Sequence, residues 1–343
     1  MNEKKFQRNV RIAISPVCNM KCIYCEGNNG FEKNGRTAAM EDIRRKPISE
    51  GNITTEELLE ILKVFYKVGF NGITLTGGEP TVNKEWDKII NETAKIGFER
   101  REMTTNGVLL GDYFRKHGKL PKLTLIKISF DTDDKEEFNR MTGGDFFDKV
   151  VDSVKTVSPH INIIRANKVM LRKDLKDLNR YINFCRSIGF TAANLLELVA
   201  YPNSTWTEEN KKFFKEQFVP YEEMIRELRK VENLESKRYK YGHISISKDG
   251  FQIMATDSKY TIRDEQCKNC PIDCQQGKFT VRIATDGNIT MCPDYKSELV
   301  SFNGTEALKN NTLETRLREM FETLTTVPEI DWFDEFRKKY DLI

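Results

Sequence analysis

Histidine is scarce in this sequence, three in 343 residues, and His117, His160 and His243 form no ligand constellation. His117 reads as a loop residue and His160 as a turn residue after Pro159, while His243 opens a C-terminal segment from which it could approach a substrate. No run approaches the roughly 18 apolar residues that a membrane span needs, and the first nine residues lack the apolar stretch of a secretory signal. An excess of one charge sign is also missing. With 55 Lys and Arg against 52 Asp and Glu the formal net charge is +3, which argues against nucleic acid or an acidic membrane as partner. There is no internal repeat of fixed period and no low-complexity tract. These absences leave a cytoplasmic location as the expectation. In that compartment eight cysteines read as metal-binding or redox groups instead of a disulfide framework.

What is present is a regular alternation. A strand over 10–15 ends at Pro16, and an irregular stretch covers 27–52. Thr54 or Thr55 caps a helix over 56–68 whose Leu58, Leu59, Ile61, Leu62 and Phe65 form one apolar face. Strands are then expected over 73–76, 98–104, 123–130, 161–170 and 192–199. Helices are expected over 84–96, 112–117, from 134, and over 146–157, 175–188 and 208–231. Strands alternating with helices imply βαβ units and a parallel sheet. Six strands are too few for a closed eight-stranded barrel, so the fold class is α/β, a partial (β/α)6 TIM barrel. After about 235 the pattern changes to two hairpin signals, at Lys248-Asp249-Gly250 and Asp286-Gly287-Asn288, and ends in a charged helical stretch. Two domains are expected: a core over 1–234 and a small β-rich, cysteine-containing lobe over 235–343.

The cysteines fall into two groups. Cys18, Cys22 and Cys25 lie in one short segment, Cys267, Cys270, Cys274 and Cys292 in another, and Cys185 stands alone on an expected helix as a buried free thiol. Thiolates are soft ligands for iron–sulfur clusters or zinc. Three thiols on a four-iron cube leave one iron open for an external chelate, whereas a closed zinc site wants a fourth ligand that no nearby histidine supplies. A helix carrying the three cysteines toward a core is opposed by Pro16 and the strand before it. The four later cysteines match a fully ligated cluster or a zinc site. If one of Cys267, Cys270 or Cys274 is not a ligand, an iron stays open for substrate there.

The spacing of Cys18, Cys22 and Cys25, with Tyr24 before the last, resembles the signature of the radical S-adenosylmethionine superfamily. Thr76-Gly77-Gly78-Glu79-Pro80, at the end of the second strand, is a second match. The resemblance implies that Gly77 and Gly78 let the backbone approach the cosubstrate and that Glu79 accepts from its ammonium. Thr105 and Asn106 after the third strand, and Ser129 and Asp131 after the fourth, resemble its cosubstrate-binding strand ends; each also reads as an ordinary polar strand terminus. Ligands of such barrels sit at the C-terminal ends of the strands. The implied cofactors are S-adenosyl-L-methionine and two [4Fe-4S] clusters. The implied partners are a small-molecule substrate and an electron donor such as flavodoxin or ferredoxin. The implied chemistry is reductive cleavage to a 5′-deoxyadenosyl radical that abstracts a substrate hydrogen, in an enzyme of lyase or oxidoreductase class.

Within that superfamily the chain is similar to the GTP 3′,8-cyclase family of molybdenum-cofactor biosynthesis over nearly its whole length. Arg11 seven residues before Cys18, Trp206, Phe218-Val219-Pro220, Glu222-Glu223 and Thr285-Asp286-Gly287 carry the likeness. The departures point to a divergent paralogue with another substrate. Gly72-Ile73-Thr74-Leu75 is uncharged, Arg282 remains where that family has two arginines, Thr280 replaces the other, and the chain ends Tyr340-Asp341-Leu342-Ile343 without a Gly-Gly tail. The lost charge argues against a triphosphate. Arg11, Arg165 and Arg282 are the candidate substrate residues. Arg165 and Lys168 on the fifth strand could meet a smaller anion or a carboxylate, or could be solvated charges beyond the sheet. Tyr24, Tyr241 and Cys292 are possible hydrogen donors among which the sequence does not choose, so no catalytic residue is assigned. The substrate expected is nucleoside- or sugar-like, cyclised, rearranged or oxidised; the alternative is a maturase acting on a ribosomal peptide. A zinc-stabilised nucleic-acid binder would leave the Gly-Gly-Glu-Pro turn a coincidence.

Overall fold

The computed structural model describes residues 9–22, 52–198, 208–231, 235–238, 243–248, 250–256, 280–291 and 301–322. Six strands alternate with helices in the first part: β1 (Asn9–Ala13), α1 (Thr55–Lys67), β2 (Gly72–Thr76), α2 (Trp86–Ile96), β3 (Arg100–Thr105), α3 (Leu110–His117), β4 (Leu125–Ser129), α4 (Lys135–Thr142), α5 (Phe147–Val157), β5 (Ile164–Val169), α6 (Leu178–Ile188) and β6 (Ala192–Leu196). There follow α7 (Glu208–Gln217), α8 (Tyr221–Arg229), β7 (Glu235–Arg238), β8 (His243–Lys248), β9 (Phe251–Thr256), β10 (Thr280–Ile283), β11 (Asn288–Thr290), β12 (Ser301–Asn303), α9 (Gly304–Lys309) and α10 (Leu313–Glu322).

Local chemistry explains the main boundaries. Thr54 caps α1 through a capping box: its hydroxyl accepts from Glu57 N, and the Glu57 carboxylate accepts from Thr54 N at 3.1 Å. Leu58, Ile61, Leu62 and Phe65 then recur on one side and are buried against the sheet's core. The single helix expected over 208–231 is in fact two. Pro220 has no N–H to donate and its ring excludes a continuing helix, so α7 ends at Gln217 and α8 starts anew at Tyr221 with Pro220 as its cap. His117 closes the last turn of α3 and stacks on Tyr113 at 4.3 Å, so it belongs to the helix expected over 112–117 and is not the loop residue it also read as. Cys185 is a fully buried thiol on α6, and burial pushes its pKa up to about 12.

The strands form one sheet in the order β12-β11-β10-β1-β2-β3-β4-β5-β6-β9-β8-β7. β1 to β6 are parallel neighbours, as βαβ connection requires. The late strands join both sides of this set: β10 pairs parallel with β1, and β9 parallel with β6. Antiparallel hairpins finish both edges, β11 and β12 beside β10 and β8 and β7 beside β9, so the partial barrel stays open.

Alternation along each parallel strand separates two faces. Val10, Ile12, Ile73, Leu75, Met103, Ile126, Ile128, Ile164, Ala166, Leu195, Ile253 and Val281 are buried in the core with the helices. The intervening positions carry Asn9, Arg11, Thr74, Arg100, Glu102, Lys127, Arg165, Asn167, Asn194, Met254 and Arg282. The C-terminal ends of β1 to β4 open on a common rim.

Candidate active site

At that rim the chain leaving β1 runs against the turn after β2. Ile14 N donates to Thr76 O at 3.0 Å, Gly78 N to Ser15 O at 2.6 Å and Glu79 N to Val17 O at 2.8 Å, so the ladder continues past both strands to Val17, next to Cys18. The glycines are dictated by this approach. Gly77 has φ +139°, and a Cβ there would lie 2.4 Å from the Ser15 carbonyl oxygen; one on Gly78 would lie 2.4 Å from that of Val17. Farther along, Lys21 N donates to Thr142 O at 3.0 Å, which pins the cysteine segment between the β2 turn and the end of α4.

Cys18 and Cys22 are half-buried thiols in this segment, not joined in a disulfide. Cys18 Sγ accepts from Met20 N at 3.4 Å and from Asn106 Nδ2 at 3.8 Å, donors of the kind that favour a thiolate. Asn106 Nδ2 also donates to Asn19 Oδ1 at 2.7 Å, which ties the segment to the end of β3. Soft sulfur with N–H donors aimed at it fits the iron–sulfur cluster of the family better than a hard cation. The third thiol, Cys25, lies outside the described residues, as do Tyr24, Cys267, Cys270, Cys274 and Cys292. Among the described residues no three His, Cys, Asp or Glu side chains gather around a metal position.

Glu79 is the polar centre of the rim, 1% exposed. Its Oε1 accepts from Thr105 Oγ1 at 2.6 Å, Thr81 Oγ1 at 2.5 Å and Thr81 N at 3.0 Å, and its Oε2 accepts from Asn106 N at 2.7 Å. Burial raises its pKa against the opposing pull of these donors. Thr105 and Asn106 therefore hold Glu79. Sequence reasoning named all three as separate cosubstrate contacts and missed Thr81 and Asn19. Among the described residues Oε2 accepts a single hydrogen bond, which leaves it lone-pair capacity for a further donor.

Asp131 is buried beyond the end of β4, and its Oδ1 accepts from Val169 N at 2.8 Å. Lys168, 2% exposed, donates to the Asp131 carbonyl, forms an ion pair with Asp174 at 3.0 Å and lies over the Tyr181 ring at 4.8 Å. Lys168 thus belongs to the helix side of the sheet and cannot share an anion with Arg165 on the other side. Residues three apart on a strand point to opposite faces, so the parity of Ile164, Ala166 and Lys168 already carried this signal. Ser129 ends β4 half-buried, opposite Asn167 on β5.

Below the rim, the polar face carries an unbroken chain of side-chain bonds across four strands. Asn9 Nδ2 donates to Thr74 Oγ1 at 3.0 Å, Thr74 Oγ1 to Glu102 Oε2 at 3.1 Å, and Lys127 Nζ to Glu102 Oε2 at 2.5 Å. Arg11 stands in register with Thr74 on one side and Arg282 on the other, and Lys127 with Arg165. Arg11, Arg100, Lys127, Arg165 and Arg282 thus share this face of the parallel strands with one described carboxylate, Glu102. Burial would raise the Glu102 pKa, but Lys127, Arg100 and Arg165 outweigh it and hold the carboxyl below its usual range. Burial, with Arg165 and Arg11 nearby, brings Lys127 down to about 8 despite Glu102. Sequence reasoning had Arg11, Arg165 and Arg282 but missed Lys127, Glu102 and Arg100.

The fold and rim agree with the relatives found for the chain. It is 30% identical over 193 residues to a probable GTP 3′,8-cyclase of Saccharolobus solfataricus. That match covers 55% of this chain, less than the near-complete likeness its motifs suggested, and 56% of the relative's own length. Among solved structures it is similar to Streptococcus suis SuiB bound to S-adenosylmethionine, with TM-score 0.55 and 16% identity over 91% of this chain and 68% of that one. SuiB bound to its precursor peptide SuiA gives TM-score 0.54 and 14% identity over 91% and 67%. At such identities the structural likeness speaks for the fold. The family model of the radical SAM superfamily matches residues 12–185, just over half of the chain and the whole run from β1 into α6 that builds the rim. The chain is an enzyme of the radical SAM superfamily.

Proposed function

We propose that the rim binds a [4Fe-4S] cluster on Cys18, Cys22 and Cys25 with S-adenosylmethionine beside it, and that the enzyme acts on a small, nucleoside- or sugar-like molecule held over the polar face. When bound, the cluster supplies the electron that splits S-adenosylmethionine into methionine and a 5′-deoxyadenosyl radical able to take a hydrogen atom from the substrate. The chain's own residues position and shield. Gly77 and Gly78 keep the turn flat against the cysteine segment, Asn106 orients Asn19 and donates to Cys18, and Glu79 offers Oε2 to the methionine ammonium. Arg11, Arg165 and Arg282 face the substrate side. In this reading residues 1–234 generate the radical, while residues 235–343 complete the substrate side and carry a second cluster on Cys267, Cys270, Cys274 and Cys292. A flavodoxin or ferredoxin delivers the electron.

The observation that carries the reading is the juxtaposition of Cys18, the Gly77-Gly78 turn and Glu79, locked together by backbone bonds from Ser15 to Glu79. Anaerobic purification and reconstitution test it. About eight irons per chain are expected, falling to about four in the Cys18→Ala, Cys22→Ala, Cys25→Ala triple variant, with 5′-deoxyadenosine release lost. Stoichiometric zinc in place of iron would overturn the mechanism. Release that depends on a ribosomal peptide would overturn the substrate class.

A further inference from the structure

Lys127 and Arg165 are like charges directly opposite each other on adjacent strands, an arrangement that costs stability unless something negative lies between them. Glu102 pairs directly with Lys127, with side-chain exposures of 12% and 16%, and acts on Arg165 only through the field, without an ion pair between them. The partners of Arg165 are poor. Its Nη1 faces Met254 Sδ at 3.0 Å, a weak acceptor, and its buried Nε has no hydrogen-bond partner among the described residues. On the neighbouring strand Asn194 Oδ1 is likewise buried without a partner there. Burial without pairing at a charged group is expensive, and proteins keep such arrangements at sites where a ligand completes them.

We propose that Lys127 and Arg165 form the anchoring site for a carboxylate of the substrate, with Glu102 restricting that site to a single negative charge. This deepens, and rests on, the assignment of the polar face as the substrate side. The planar fork of Arg165 can hold two oxygens of either a carboxylate or a phosphate, and two features select the carboxylate. Both residues lie within paired strands, where backbone N–H groups are committed to the neighbouring strands, so their own amides offer no cradle to a phosphate. Glu102, 2.5 Å from Lys127, repels any second charge brought to the same ammonium. Lys127, Arg100 and Arg165 together hold the Glu102 carboxyl below its usual range against its burial, which agrees with a positive local field.

The test reads anion binding directly, apart from turnover. Reductive methylation of the reconstituted protein with ¹³C-formaldehyde gives each lysine an NMR signal, and Lys127→Met identifies that of Lys127. Acetate, inorganic phosphate and tripolyphosphate are titrated at matched ionic strength. Acetate is expected to shift the Lys127 signal saturably while leaving that of Lys168 in place. Arg165→Gln should weaken acetate by at least about tenfold, and Glu102→Gln should tip the preference toward phosphate, which a merely structural glutamate would not do. No shift with any anion would overturn the proposal, as would tripolyphosphate binding tighter than acetate in the unaltered protein. Iron content and 5′-deoxyadenosine release from the same samples report separately on the radical reading, so either can fail alone.

Discussion

Glu79, in the turn after β2, and Glu102, on β3, are carboxylates both withdrawn from water, in opposite surroundings. Glu79 is held by neutral donors, the hydroxyls of Thr81 and Thr105 and the amides of Thr81 and Asn106, so desolvation dominates and its pKa rises. Glu102 meets an ammonium with guanidinium groups close by, and the cations win over desolvation. Neutral donors fix where a carboxylate sits without fixing its charge, whereas cations fix both. The first arrangement suits a residue that joins the elements of a rim and receives a proton-bearing group. The second suits a permanent countercharge on a substrate face.

The largest test of this contrast removes Glu79. Glu79→Ala leaves the Thr105 hydroxyl and the Thr81 and Asn106 amides without their acceptor and cuts the β2 turn from the end of β3. We expect a loss of about 3–5 kcal/mol in urea unfolding. A loss below about 1 kcal/mol would mean that the turn is held by its backbone bonds alone. Glu102→Gln comes next, at about 1–3 kcal/mol: the pair it breaks keeps some exposure, which limits the cost, while Arg100 and Arg165 lose their countercharge, which adds to it.

The acid range then separates the two by sign. Glu102, with a lowered folded pKa, contributes stability that is present above the unfolded pKa of about 4.5 and is lost as pH falls through the folded value. Glu79, with a raised folded pKa, contributes stability that is full below about 4.5 and is lost as pH rises through the folded value. The difference between the unaltered protein and Glu102→Gln should therefore grow with pH up to that point, and the difference from Glu79→Gln should shrink above it. Parallel slopes in unfolding measured from pH 3 to pH 7 would erase the distinction. The smallest effects come from single hydroxyls. Thr105→Val should cost about 1–2 kcal/mol, since that bond is fully buried, and Thr74→Val about 0.5–1 kcal/mol, since Lys127 still holds Glu102.

The same two glutamates mark what could be read before the structure. Glu79 belongs to a contiguous motif, and the apolar alternation that builds β1 to β6 is also local, so the barrel core, the cysteine segment and the Gly-Gly-Glu turn were accessible from the sequence. Glu102 takes its meaning from Lys127, 25 positions away on another strand, and no local pattern states which residues two strands bring into register. Lys168 was misplaced although its parity with Ile164 and Ala166 pointed to the helix side. The break at Pro220 was overlooked because amphipathic spacing resumes directly after it. The attachment of β9 and β10 to the two sides of the core depends on pairings between distant segments, for which hairpin signals give no direction.

The position of β10 also has a consequence for synthesis. β1, which leads into the cysteine segment, is flanked by β2 on one side and by β10 on the other, with Asn9 paired to Thr280. While the ribosome is still making the helices between them, the outer edge of β1 has no partner and exposes its amides and carbonyls. Closing that edge brings together residues from opposite ends of the described chain, the kind of long-range contact that slows folding and lengthens the time spent open to aggregation. Of the described strands, the one that leads into the cysteine segment is made first, yet its outer edge is enclosed only once β10 has been translated.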